Sequence, residues 1–192
     1  MATETLDRGS ARDRLLDAAD ELFYEEGVHT VGIDRVIERA GVAKASLYNV
    51  FGSKDELIRA YLERRHERRR ARIDRALARY DTPRDQLLAV FDALDEALAE
   101  PGFRGCAFVN ASAESRPGSV VEQASDDMRG SLRALLTELA EAAGAPDPAG
   151  LAGQLVLLYD GASVGARMDR DPGSAAAART VAVALIAAAL DG

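Results

Sequence analysis

The chain has little of what most site chemistry needs. Its 192 residues include one cysteine, Cys106, and two histidines, His29 and His66. A single thiol excludes an intrachain disulfide, and the histidines stand too far apart in sequence to suggest a metal-ligand cluster. Lysine is nearly absent: Lys44 and Lys54 are the only two. There is no GxSxG, no HExxH, no phosphate-binding glycine loop and no carboxylate pair set off by its surroundings, so neither catalysis nor a cofactor is expected. No basic, serine-rich or strongly apolar leader precedes Ser10, and Arg179 and Thr180 interrupt the alanine-rich C-terminal stretch. A signal peptide and a membrane span are therefore not expected, and the expected location is cytoplasmic.

The chain is long enough to bury a real core, in one domain or two. Its net charge of −8 is unevenly spread. Residues 1–80 hold 16 Lys+Arg against 15 Asp+Glu, a net of +1, and residues 81–192 hold 8 against 17, a net of −9. Attraction to phosphate would be confined to the first part, which excludes a protein that coats nucleic acid indiscriminately.

The most informative stretch runs from Thr30 to Glu56. Ile33, Val36, Ile37 and Ala40 fall at helical spacing, predicting a short helix over about Asp34 to Arg39. Gly41 supplies the positive φ that ends it, and Val42 and Leu47 carry the apolar pattern into a second helix, about Ala43 to Val50. Two short helices around a glycine turn form a helix-turn-helix, whose second helix enters a major groove. Its outward residues are Lys44, Ala45, Ser46, Tyr48 and Asn49. Ala45 and Ser46 let the backbone approach, Lys44 suits a guanine edge or a phosphate, Asn49 suits adenine or a phosphate, and Tyr48 offers its hydroxyl to the backbone.

The string from Ala40 to Leu57, AGVAKASLYNVFGSKDEL, resembles the DNA-binding signature of the TetR-type transcriptional regulators. The A-G-V turn, the L-Y pair, the phenylalanine and the S-K-[DE]-x-L continuation all match. The resemblance covers the first third of the chain strongly and the rest only through helical layout. It implies an all-α homodimer of about nine helices, with a helix-turn-helix domain over residues 1–52 and a larger effector-binding and dimerisation domain over 53–192. It also implies repression of transcription at double-stranded operator DNA, relieved by a small apolar or amphipathic ligand. Gly32 stands where many relatives carry serine or threonine, and Val50 where many carry histidine. Gly32 removes a side-chain cap and a phosphate contact that Thr30 is left to supply. With Val50 silent, phosphate grip falls to Tyr48, Asn49 and Lys54.

The remainder reads as helices divided by clear breaks. Residues 1–9 lack apolar periodicity and read as a mobile arm, with Arg8, Arg12 and Arg14 placed to touch a minor groove or backbone. Ser10 reads as the first cap, and Leu15, Ala19, Leu22 and Phe23 as an inner face before Gly27. Ser53 with Glu56 forms a capping box, opening a helix to about Tyr80. Its eight arginines between Arg64 and Arg79 are read as a solvated face with i,i+4 pairs. Thr82-Pro83 starts a helix striped by Leu87, Phe91, Leu94 and Leu98. A short helix from Phe103 to about Ala113 is expected to carry Cys106 and Asn110 on one face. A long one then follows with Met128, Leu132, Leu135, Leu139 and Ala142 inward.

Phe91, Phe103, Phe108, Met128 and Tyr159 are candidates to line an effector pocket, with Asn110 as its orienting polar group and Cys106 beside it. Cys106 is read as a small buried hydrophobe rather than a redox sensor. Leu151, Leu155, Leu158, Ala162 and Gly165 form one expected dimer stripe, the alternative being that this helix and the last are simply the core of a single chain. Val181, Leu185 and Ala188 belong to a final helix that opens at Ser174, is apolar almost all round and suits a four-helix interface between two copies. The competing reading is a constitutive or architectural DNA-binding protein whose second domain is solid and takes no effector.

Overall fold

The computed structural model describes residues 9–113, 115–171 and 173–191, and among these it contains nine α-helices and no strand. They are α1 (Ala11–Glu26), α2 (Ile33–Ala40), α3 (Lys44–Phe51), α4 (Lys54–Leu77), α5 (Pro83–Leu98), α6 (Ala107–Ser112), α7 (Val120–Ala142), α8 (Pro148–Asp169) and α9 (Ser174–Asp191). Arg8 and Pro172 lie outside the described residues. The chain divides into two compact units. The first runs to Arg65 and includes Ala107–Ser125; the second takes His66–Cys106 and everything from Asp126 on. A boundary expected between residues 52 and 53 thus compares with a division inside α4, between Arg65 and His66.

Local chemistry sets the helix ends. The Ser10 hydroxyl accepts from the Asp13 amide at 3.2 Å, and Gly27, at φ +98, ends α1. The Thr82 hydroxyl accepts from the Asp85 amide at 3.1 Å with Pro83 in the first turn, and Asp147 does the same for α8, accepting from Gly150 at 2.9 Å. Such caps satisfy amides that a helix start leaves without partners. Ser53 provides half of the expected box: it accepts from the Glu56 amide at 3.1 Å, while the Glu56 carboxylate pairs with Arg59. Ser174 lies inside the first turn of α9 instead of capping it, donating its hydroxyl to the Asp171 carbonyl at 3.1 Å.

In the first unit, Leu15, Ala19, Val31, Val36, Leu47, Leu57 and Tyr61 are buried, and Phe23 meets Tyr61 edge-on at 5.6 Å between ring centroids. In the second, the end of α4 joins α5, α7, α8 and α9 around one core. All four stripe residues of α5 are buried. The inward face of α7 is rotated from the expected one. Leu132 is buried with Leu136 and Ala140, Leu135 and Leu139 are half-buried, and Ala142 is exposed. Apolar residues at 132, 135, 136, 139 and 140 fit two registers, and only the packed neighbours choose.

Several arginines of α4 are ion-paired, mostly not along the helix. Arg64 meets Asp17 at 2.6 Å, Arg65 meets Asp20 at 2.7 Å, and Arg72 meets Glu100. Arg65 also stacks over Tyr24, 3.9 Å from its ring centroid. Arg59 meets Glu56 within the helix, at i,i+3 and 3.3 Å. A face expected to be solvated is therefore used to fasten α4 to its neighbours within each unit.

By length and composition alone α9 could cross a membrane, even with Arg179 and Thr180 in it. Ala175, Ala178, Ala182 and Ile186 are instead buried against the protein core. Arg179 Nε donates to Asp92 of α5 at 2.7 Å, and the Tyr80 hydroxyl donates to the other oxygen of that carboxylate at 2.7 Å.

Candidate nucleic-acid interface

Gly41 makes the turn between α2 and α3. At φ +62 and ψ +42 it is left-handed, its amide donates to the Glu38 carbonyl at 3.1 Å, and the Val42 amide donates to Ile37 at 3.3 Å. A side chain there would be strained by the backbone alone. Ala43 is the N-cap of α3 rather than its first residue and provides no side-chain cap. Gly52, at φ +77, ends the helix. Within α3 Leu47 is the only buried residue, fully enclosed, and it pins the helix to the unit.

That anchoring turns the rest of α3 outward. Lys44, Ala45 and Asn49 are exposed, Tyr48 is 46% exposed, Val50 is 38% exposed, and Ser46 is half-buried. Lys44 is not idle: its ammonium meets Asp34 of α2 at 2.9 Å, a contact that holds its proton more tightly than usual. Both partners are well exposed, so the pair is weak and open to exchange for a phosphate. Lys54, at the start of α4, is half-buried, and that burial lowers its pKa. Thr30 and Gly32 are exposed at the entry to α2, where Gly32 is an N-cap without a side-chain bond. The eight proposed contact residues thus sit at the ends and outer face of α2, α3 and the start of α4.

Two arginines expected to reach for DNA are held locally. Arg14 donates to the Gly41 carbonyl at 3.3 Å, and Arg12 lies over the Phe51 ring at 5.6 Å. Arg35–Glu26 at 2.5 Å and Arg39–Glu21 at 2.7 Å fasten α2 to α1. Asp34 of α2 is the partner of Lys44. Its position ten residues earlier carries no sequence signal, because the turn alone brings the two together.

The effector candidates separate. Phe91 is fully buried with its ring centroid 6.4 Å from that of Tyr159, Met128 is buried, and Phe103 packs on the same core. Burial pushes the Tyr159 hydroxyl pKa up. These belong to the second unit, as does Cys106, which is half-buried. Phe108, buried, and Asn110, half-buried, belong to the first. Cys106 precedes α6 rather than lying within it, so it does not share a helical face with Asn110. Gly105, at φ +92, is what delays the helix.

Of the expected dimer residues, Leu151, Leu155 and Ala162 are buried in the protein's own core, so they are not surface residues. Leu158, Gly165 and Leu185 are half-buried, while Val181 and Ala188 are exposed. The exposed apolar face of α8 is instead Leu157 at 71%, Val164 at 41% and Met168 at 75%. Spacings of seven and four put these three on one stripe.

A helix-turn-helix with an outward second helix, followed by a helical body, defines a class of DNA-binding regulator. The family model described as bacterial regulatory proteins of the tetR family matches residues 15–61. A TetR-family transcriptional regulator from Streptomyces coelicolor has a similar structure, with a TM-score of 0.88 and 35% identity over 93% of this chain and 95% of that one. The HTH-type transcriptional activator FasR of Mycolicibacterium smegmatis is 39% identical over 88 residues, 46% of this chain and 40% of FasR. The repressor KstR of the same organism is 36% identical over 108 residues, 53% of each chain. The matched stretch thus spans only about half or less of these two curated relatives. The chain belongs to the TetR family of transcriptional regulators.

Proposed function

We propose that the protein binds operator DNA as a homodimer, represses transcription there, and lets go when a small molecule occupies its second unit. The observation that carries this reading is the outward face of α3, with Lys44, Ala45, Tyr48 and Asn49 exposed around a single buried anchor, Leu47. Small residues let the helix backbone approach the groove, while Lys44, Asn49 and the Tyr48 hydroxyl supply hydrogen bonds to bases and phosphate. Thr30 and Lys54 extend the phosphate contacts to either side.

The exposed stripe of Leu157, Val164 and Met168, with Val181 of α9, is the proposed partner surface. A two-fold pair built on it would present two reading helices about 34–36 Å apart, one DNA turn. An effector that fits only a different spacing would shift the population away from DNA.

Footprinting on the DNA flanking its own gene, with and without candidate ligands, tests the reading. Tyr48→Phe and Lys44→Ala should each weaken operator binding about tenfold and leave the dimer intact, the loss of one charge-assisted or polar contact. Full operator affinity in both variants would refute the assignment of α3.

A further inference from the structure

Several arginines of α4 end on carboxylates, but Arg69 does not. Its Nη atoms donate to the sulfur of Met128 and, at 3.1 Å, to the Met128 carbonyl, and the guanidinium lies 5.9 Å from the Tyr159 ring centroid. Its Nε is buried with no acceptor. A buried donor left unmade is costly, and a guanidinium cannot shed its charge to escape the cost. One turn earlier, Nδ1 of His66 is also buried without a partner.

Both side chains line a cleft of about 250 Å³ between α4 and α7 in the second unit. That is space for about eight waters or a small organic molecule. Arg70 and the Ser131 hydroxyl line the same cleft, Ile73, Leu132 and Leu135 give it an apolar wall, and Asp74 and Glu138 add two carboxylates. Along α4 the lining changes from cationic at Arg69 and Arg70 to anionic at Asp74, one turn further on.

We propose that this cleft binds a small carboxylic acid, its carboxylate on Arg69, Arg70 and Ser131 and a hydrogen-bond donor at its other end on Asp74 or Glu138. Two guanidiniums and a serine lining one stretch of the cleft suit a carboxylate, which the fork of arginine matches. The two acidic residues disfavour a second anionic group and select for the donor. Binding itself follows from the cleft, whereas its use as the release signal rests on the ligand-controlled reading above.

The full-length protein without DNA provides the test, since its two histidines give few imidazole NMR signals and His66→Gln assigns them. The charged groups facing His66 are Glu67, Arg69 and Arg70 of α4 and Asp127 of α7. Titration with β-alanine, propionate and inorganic phosphate should give a saturable shift of the His66 signals, tightest for β-alanine, and an upward move of the His66 titration midpoint. Arg69→Gln should weaken binding about tenfold or more. Arg70→Gln, at an exposed position that leaves the Met128 contacts alone, should weaken it as well. Silent His66 signals, or unchanged affinity in both variants, would overturn the site. Tighter binding of phosphate than of either carboxylate would overturn the assignment of the ligand class. Binding in the cleft with no change in operator affinity would uphold the site and remove its role as a release switch.

Discussion

Leu47 and Tyr48 are neighbours in sequence, yet one is fully enclosed and the other nearly half exposed. A rotation of about 100° per residue separates anchor from reader, and this alternation makes α3 a candidate recognition surface. Gly32 is the other informative single position. It adopts φ −77 and ψ +155, which any L-residue accepts, and a Cβ built there meets nothing within 4 Å. Gly32→Ser should therefore stabilise the protein by about 0.5–1 kcal/mol, through a side-chain cap and a less flexible unfolded chain, as read by urea melts. A loss of stability would show that the exposed glycine is needed for its conformation. His66 carries the pH prediction. Burial, then the charges of Arg69 and Arg70, depress its pKa below 6.5. The folded state thus holds its proton less tightly than the unfolded one, so this contribution is complete above pH 6.5 and is lost as pH falls through the depressed value. His66→Gln should flatten stability against pH between about 7 and 5, and an unchanged slope would refute the assignment.

At the scale of elements, ion pairs differ in worth according to their burial. Asp92 accepts from both Arg179 and Tyr80, joining α9 and the end of the α4 segment to α5, and its side chain is 22% exposed. The Arg84–Asp191 pair has two bonds of 2.9 and 2.7 Å but sits 45% and 57% exposed. Water and salt screen the second far more than the first. Asp92→Ala should lower stability by about 1–3 kcal/mol, because it strands a tyrosine and an arginine together. Arg84→Ala should cost no more than about 1 kcal/mol. Equal thermal shifts in the two variants would contradict this ranking. The same contrast explains α4. Its arginines were legible as charges but not as fasteners, since Asp17, Asp20 and Glu100 come from distant sequence.

For the molecule as a whole, the exposed apolar stripe of α8 is the feature that a single chain leaves unexplained. Leu157 and Met168 are each more than two-thirds exposed, beyond what scattered surface residues require. Leu157→Glu should give a folded monomer by sedimentation, with helical content intact and operator binding severely weakened, because burying an unpaired carboxylate in an interface is costly. A dimer that survives this change would move the partner surface elsewhere. Charge also acts at this scale. The +1 of residues 1–80 against the −9 of the rest leaves phosphate attraction to the reading head, so operator binding should fall steeply with salt.

What the sequence alone determined was periodic or covalent in origin: the run of helices, the breaks at Gly27, Gly41 and Thr82-Pro83, and the helix-turn-helix between them. Caps and glycine turns act over three or four residues, so their physics is complete in the local string. Even Tyr48 and Asn49 were legible as outward residues, because Leu47 fixes their phase. Only the tertiary structure decided which of two adjacent apolar rows on α7 and α8 faced inward, sending Leu151 and Leu155 to the core and Leu157 to the surface. It alone paired Lys44 with Asp34 and left Arg69 without a carboxylate. Those outcomes depend on which remote side chains arrive at a given face, and a helical repeat contains no information about its neighbour.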